Sequence, residues 1–231
     1  MRLAYASAFA AALALLAPAG AGVQGFQDAD RAVKGGGITV PGWQGKIDAR
    51  AAKQGRTIND SKFASEGNAL HLTIGPAASY WNPANVAKGD YTVKATFREP
   101  KIASDHPHPY GLFIGGSNLD SDKPTLMYCV AYGDGSFLIR RFSAGAVSDV
   151  AKRQPNEAVH KAGADGSVTQ DIAWTVKGGR AECVINGTTV AGFDGADLVG
   201  PGKLDSTDGV YGLRVSHNLD VVVTGFGLAK N

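Results

Sequence analysis

Between Asp90 and Glu99 the chain alternates without a break. Tyr91, Val93, Ala95 and Phe97 fall on one parity, and Thr92, Lys94, Thr96 and Arg98 on the other. A helix cannot gather such a set on one side, because its same-face residues recur about every 3.6 positions. A strand sends successive side chains to opposite faces and buries one of them. The same period runs through Leu70, Leu72 and Ile74 against His71 and Thr73, and again through Ile172, Trp174 and Val176. "QDIAWTVKGGRAECVINGTTVAGF" reads as three strands joined at Gly178-Gly179 and Asn186-Gly187, two dipeptides that favour tight hairpins. "GVYGLRVS" and "LDVVVTGFGLA" read as the last two strands. Turn signals about every 8–14 residues, roughly ten strands and no convincing helix predict an all-β sandwich or barrel.

The stretch "VAYGDGSFLIRRF" tests this reading, because its glycines invite comparison with a phosphate-binding loop. Gly133 and Gly135 lack the third glycine of a dinucleotide motif, and the Gly-Lys-Ser/Thr ending of a nucleotide-binding loop is also missing. The segment is instead predicted as a hairpin with Asp134-Gly135 in its turn. Arg140 and Arg141 must then point to opposite faces. Arg141 shares its face with Phe137 and Ile139, and Arg140 shares its face with Leu138 and Phe142. One of the two arginines therefore snorkels to water or lines a ligand groove.

The N-terminus carries an address. Met1 and Arg2 precede a mostly apolar run from Leu3 to Ala17, followed by Pro18, Ala19, Gly20, Ala21 and Gly22. That run is shorter than the roughly 20 residues of a spanning helix and ends in small residues, as a secretory signal peptide does. Residues 1–21 are expected to be that peptide, with cleavage near Ala19 or Ala21, and the product to be secreted or periplasmic. Residues 22–41 show little periodicity and are expected to be a flexible arm. Residues 42–231 are expected to form a single domain, of a length that suits one β-sandwich or barrel. Basic residues number 23, one of them Arg2, against 21 acidic residues, and no basic block stands out. No nucleic-acid footprint and no membrane span are expected. An oxidising compartment allows Cys129 and Cys183 one pairing, although both also suit small apolar packing positions.

Carbohydrate chemistry on a sandwich leaves marks that can be sought. A retaining glycosidase needs two carboxylates about 5–5.5 Å apart, hence acids two or four positions apart on a strand. The four glutamates, Glu66, Glu99, Glu157 and Glu182, have no such partner. Tyr80 and Trp81 precede Asn82-Pro83 and are read as aromatics beside a turn, where one ring can stack on a sugar. Tyr110, after His108, is the second such aromatic. His106 and His108 lack a third ligand nearby, so no metal site is expected from them. Asn118, Asp120 and Asp122 offer oxygens at a spacing that calcium loops use, but without the later Gly and Glu of an EF-hand. Calcium there is the weak exception to an expectation of no cofactor. His217, Asn218 and Asp220 fall between the last two strands and can form the rim of a site. No Gly-x-Ser-x-Gly elbow is present.

Three stretches, "YGLFIGGSNLDSDKPTLMYCVAYGDGSFLIRRF", "RAECVINGTTVAGF" and "DGVYGLRVSHNLDVVVTGFGL", together resemble the concanavalin A-like lectin/glucanase superfamily. They are similar in particular to secreted bacterial proteins related to the 3-keto-disaccharide hydrolase domain. The resemblance runs from about Gly42 to Leu228. It implies a two-sheet jelly roll with a concave face that binds or cleaves carbohydrate. The glycosidase carboxylates have no counterpart here. The expected function is therefore recognition of a glycan or small saccharide. A glycoside-acting hydrolase and a structural envelope protein are the alternatives. The candidate ligand-binding residues are Tyr80, Trp81, His108, Tyr110, Asn118, Asp120, Asp122, Arg140, Arg141, His217, Asn218 and Asp220.

Overall fold

A computed structural model describes residues 28–102 and 106–229. The expected signal peptide lies outside the described residues. The strands are β1 (Gly37–Ile38), β2 (Gln44–Ile47), β3 (Lys62–Glu66), β4 (Ala69–Thr73), β5 (Ala78–Ala87), β6 (Tyr91–Glu99), β7 (Tyr110–Ser117), β8 (Thr125–Ala131), β9 (Ser136–Ser143), β10 (Ala146–Pro155), β11 (Val168–Lys177), β12 (Arg180–Ile185), β13 (Thr188–Asp194), β14 (Gly209–Val215) and β15 (Asp220–Leu228). They form two sheets, eight strands in the order β1-β3-β4-β15-β6-β11-β12-β13 and seven in the order β10-β9-β8-β7-β14-β5-β2. Two short helices, α1 (Ala49–Lys53) and α2 (Gly195–Leu198), join them. The alternation's all-β expectation holds, and of its two forms, sandwich or barrel, the two-sheet sandwich is found, the jelly roll that the resemblance implies. The described strands number fifteen rather than about ten, because short edge strands carry too few residues to show a period.

The core follows from the pleat. From the seven-stranded sheet, Tyr80, Tyr110, Leu112, Ile114, Met127, Cys129, Phe137, Ile139 and Leu213 point inward. They meet Phe63, Leu72, Val93, Phe97, Ile172, Trp174 and Val223 of the other sheet. Trp174 donates its indole N–H to the Leu112 carbonyl at 3.2 Å, so its one polar atom is satisfied across the core. Cys129 in β8 and Cys183 in β12 are joined by a disulfide that ties the sheets together. Gly178 and Gly179 have φ of +57° and +78°, and Asn186 and Gly187 +50° and +81°. Both central residues of each turn are thus left-handed, as the favoured two-residue hairpin requires. "GDG" is likewise the turn between antiparallel β8 and β9, with Ala131 opposite Phe137.

Two expectations need correction. Asn82-Pro83 does not end a strand. It sits inside β5, where Trp81 pairs with Gly212 but Val86 pairs with Val210. The extra residues form a bulge, and Asn82 turns the chain by accepting the Ala84 N–H at 2.9 Å. The segment read as a flexible arm is bound to the sandwich from Asp28 onward. Arg31 donates to the carbonyls of Ile74 and Leu219 at 2.8 and 2.6 Å, and β1 pairs parallel with β3.

Candidate functional site

The seven-stranded sheet is apolar on both faces. β8 alternates Met127, Cys129 and Ala131 into the inter-sheet core with Leu126, Tyr128 and Val130 onto the outer face. All seven of its residues are buried. Trp81, Phe113, Leu138 and Phe142 extend this outer cluster. A sheet face of this kind is either covered or used. Here α1 lies beside one part, and a cavity of about 460 Å³ opens over another.

That cavity has a floor of Tyr128, Val130, Tyr132 and Leu138, with Arg140, Arg153 and Arg214 around it. Each guanidinium is held by a carboxylate. Arg140 Nε donates to Asp149 at 2.5 Å, and Arg153 Nη2 donates to Asp134 at 2.5 Å. Arg214 grips Asp48 with both terminal nitrogens. Arg153 also covers the Tyr132 ring, its Cζ 3.9 Å from the centroid, a cation–π contact that fixes both groups. Burial pushes the Tyr132 hydroxyl pKa up, against the pull of Arg153. Burial also tends to raise the Asp134 pKa, but hydrogen bonds from Ser136 and Arg153 outweigh it and hold the carboxyl below its usual value. Asp134 is the single carboxylate among the described residues lining this cavity.

His106 and His108 line both this cavity and a neighbouring one of about 830 Å³. The neighbour is lined by Asp28, Asp30, Asp48 and His217, among others. At the junction, His108 and His217 meet edge to face with ring centroids 4.3 Å apart. His108 Nε2 lies 3.0 Å from Asp28 Oδ2, and His217 Nδ1 lies 2.8 Å from Asp30 Oδ1. One ligand-capable atom from each of Asp28, His108 and His217 falls within 4.8 Å of the other two. Burial lowers the His108 pKa, with His217 adding to the effect and Asp28 opposing it. A hydrogen bond from Asn218 is the main cause that lowers the Asp28 pKa.

The sequence-derived candidates thus divide. His108, His217, Asn218 and Arg140 come together around the two cavities. Tyr80 and Tyr110 do not, since both rings are fully buried between the sheets. Trp81 faces outward from the seven-stranded sheet but is only 4% exposed, so it is no free stacking platform. Arg141 points to the inter-sheet side, with Nη1 on the Asp197 carbonyl at 3.4 Å. Asp220 accepts from His71 at 2.8 Å, away from the groove. The Asn118-to-Asp122 loop is already served by a cation. The Lys46 ammonium donates to the carbonyls of Asp120 and Ser121 and to Asp122 Oδ1 at 3.2 Å. A lysine placed there removes the reason for calcium.

Tyr128, Tyr132, Arg153, Arg214, Asp48, Asp28 and Asp30 were not candidates. An arginine inside the apolar alternation of "GVYGLRVS" is a signal for Arg214, since a charge on a sheet face needs a partner. Nothing local marks Asp28, which matters only because the arm folds back.

No family model and no curated protein matches the chain. Among solved structures it is similar to the carbohydrate-binding module CBM66 from Bacillus subtilis. Identity is 12% over 84% of this chain and 99% of that one, with a TM-score of 0.53. It is also similar to a Bacillus subtilis protein of unknown function with a galectin-like fold, at 14% identity over 80% and 88% of the two chains and a TM-score of 0.50. These likenesses agree with the jelly roll and speak to the fold.

Proposed function

We propose that the chain is a carbohydrate-recognition module that binds a neutral glycan or small saccharide in the groove over Tyr128, Tyr132 and Leu138. The observation that carries this reading is the groove's make-up. It combines aromatic and aliphatic floor atoms with three planar guanidinium groups, each fixed by its own carboxylate. Apolar C–H faces of a sugar suit such a floor, and its hydroxyls suit fixed planar donors and acceptors. Because every arginine is paired, the groove presents donors without an unbalanced positive charge, which favours hydroxyls over carboxylates as partners. Recognition is preferred to the hydrolase alternative, including a 3-keto-disaccharide hydrolase, because a single carboxylate lines the groove and hydrolysis by the usual route uses two. Secretion or a periplasmic location goes with this reading, and the Cys129–Cys183 bond is the kind of cross-link an oxidising compartment maintains.

The test is a glycan panel screened against the purified protein, followed by calorimetry on the best ligand. Tyr132→Ala and Arg153→Ala should each weaken binding several-fold to about tenfold, the scale of one lost stacking or fixed polar contact. Both variants should keep the wild-type circular dichroism spectrum. Trp81→Phe should bind as the wild type does. Unchanged affinity in both groove variants, or no ligand in the panel, would remove the groove as a saccharide site.

A further inference from the structure

We propose that Asp28, His108 and His217 form a binding site for a divalent first-row transition cation, with coordination positions open to the cavity lined by Asp30, Asp48 and His106. Two imidazoles and one carboxylate are a sufficient protein set for such an ion when water or another ligand fills the remaining positions. Ligands at about 2.0–2.2 Å from one ion stand roughly 3.3–3.6 Å from each other in tetrahedral geometry. His108 Nε2 and Asp28 Oδ2 already stand 3.0 Å apart, and the ligand atoms of all three residues fall within 4.8 Å. Small side-chain rotations close the set.

The surroundings orient these groups. Asp30 holds His217 Nδ1 at 2.8 Å, which leaves Nε2 as the atom to coordinate. A carboxylate on the far nitrogen is the usual way a ligating histidine is fixed. Asp28 is set by the chain that carries it. Asn218 accepts the Arg31 N–H at 2.9 Å and donates to the Ala29 carbonyl at 3.0 Å, so it clasps the arm on both sides of Asp30. Asn218 adopts φ of +55° to do so, a conformation asparagine tolerates better than most residues. Imidazole pairs select zinc, cobalt, nickel or copper over calcium and magnesium, which prefer oxygen.

Another histidine–carboxylate group differs in the way that matters. His71 spends Nδ1 on Glu66 at 2.6 Å and Nε2 on Asp220 at 2.8 Å. The two nitrogens face apart, so the carboxylates bracket the ring and do not converge on one point with it.

The experiment is calorimetric titration of chelator-treated, extensively dialysed protein with zinc chloride, paired with cobalt(II) absorption as a report on the ligand set. One equivalent of zinc should bind, and cobalt should give a visible d–d spectrum. His108→Gln and His217→Gln, each checked for wild-type circular dichroism, should weaken zinc about 100-fold. Asp30→Asn should weaken it about tenfold by loosening His217. His71→Gln should bind as the wild type does. No saturable zinc binding up to about 1 mM, or affinity unchanged in both histidine variants, would overturn the site. Glycan affinity in the groove is measured separately, so loss of one reading leaves the other standing.

Discussion

Arg214 in β14 and Asp48 at the start of α1 lie 166 residues apart and meet as a two-pronged pair, Nη1 to Oδ1 at 2.7 Å and Nη2 to Oδ2 at 2.6 Å. The pair is lopsided in its access to water, with side-chain exposures of 9% for Arg214 and 33% for Asp48. Burial alone would lower the Arg214 pKa, but Asp48 outweighs it and the guanidinium stays charged. Asp48 gives no side-chain cap to α1, so its carboxylate serves the arginine. The two halves of the pair should therefore differ in cost. Asp48→Ala strands a buried cation and should destabilise by about 3–5 kcal/mol. Arg214→Met leaves a carboxylate that water can reach and should cost clearly less. Urea denaturation midpoints compare them, and equal losses would contradict the asymmetry.

The Cys129–Cys183 bond closes a separation of 54 residues. In the chain-entropy account such a loop restricts the unfolded chain by about 4 kcal/mol. Denaturant titration with and without reductant should show a difference of that order. Protein purified without reductant should show no thiol when unfolded in the presence of a thiol-reactive dye. Two titratable thiols would refute the bond.

Glu99 sets a pH dependence. It is buried at the end of β6, and its Oε2 has no hydrogen-bond partner among the described residues. Burial, with Asp220 adding to it, raises its pKa to about 7 from 4.5. The folded form therefore binds a proton that the unfolded chain has released. This contribution is fully present below about pH 4.5, fades between pH 4.5 and 7, and is gone above that window. The difference amounts to about 3 kcal/mol. Glu99→Gln should remove this slope and be the more stable protein at pH 8. A wild-type-like pH profile in the variant would show that Glu99 is not its source.

Arg140 and Arg141 should separate stability from binding. Arg140 pairs with Asp149 where both are well exposed, so Arg140→Ala should cost under about 1 kcal/mol. It should weaken saccharide binding, because the residue lines the groove. Arg141 keeps a buried Nε without a hydrogen-bond partner among the described residues. Arg141→Met should hold or raise stability by up to about 1 kcal/mol and leave binding unchanged. Melting curves and calorimetry on the two variants test this, and matching behaviour would contradict their placement on opposite faces.

The sequence by itself determined what depends on neighbours in the chain. Period-two alternation in Tyr91–Glu99 fixed a strand and its buried parity, and Asn186-Gly187 fixed a hairpin, because pleat and turn are local geometry. The same pleat correctly put Arg140 and Arg141 on opposite faces. Parity cannot say which face meets the other sheet and which meets a covering segment, so Trp81 and Tyr110 looked available when both were enclosed. Only the tertiary structure decided that the outer face of β8 is floored with Tyr128 and Val130 and roofed in part by α1. Only it brought Asp28, His108 and His217 together, from the N-terminal arm, the approach to β7 and the turn between β14 and β15. No local pattern links three residues so far apart in the chain. Their meeting follows from how β14 and β15 enter different sheets and how Arg31 and Asn218 fasten the arm across that turn.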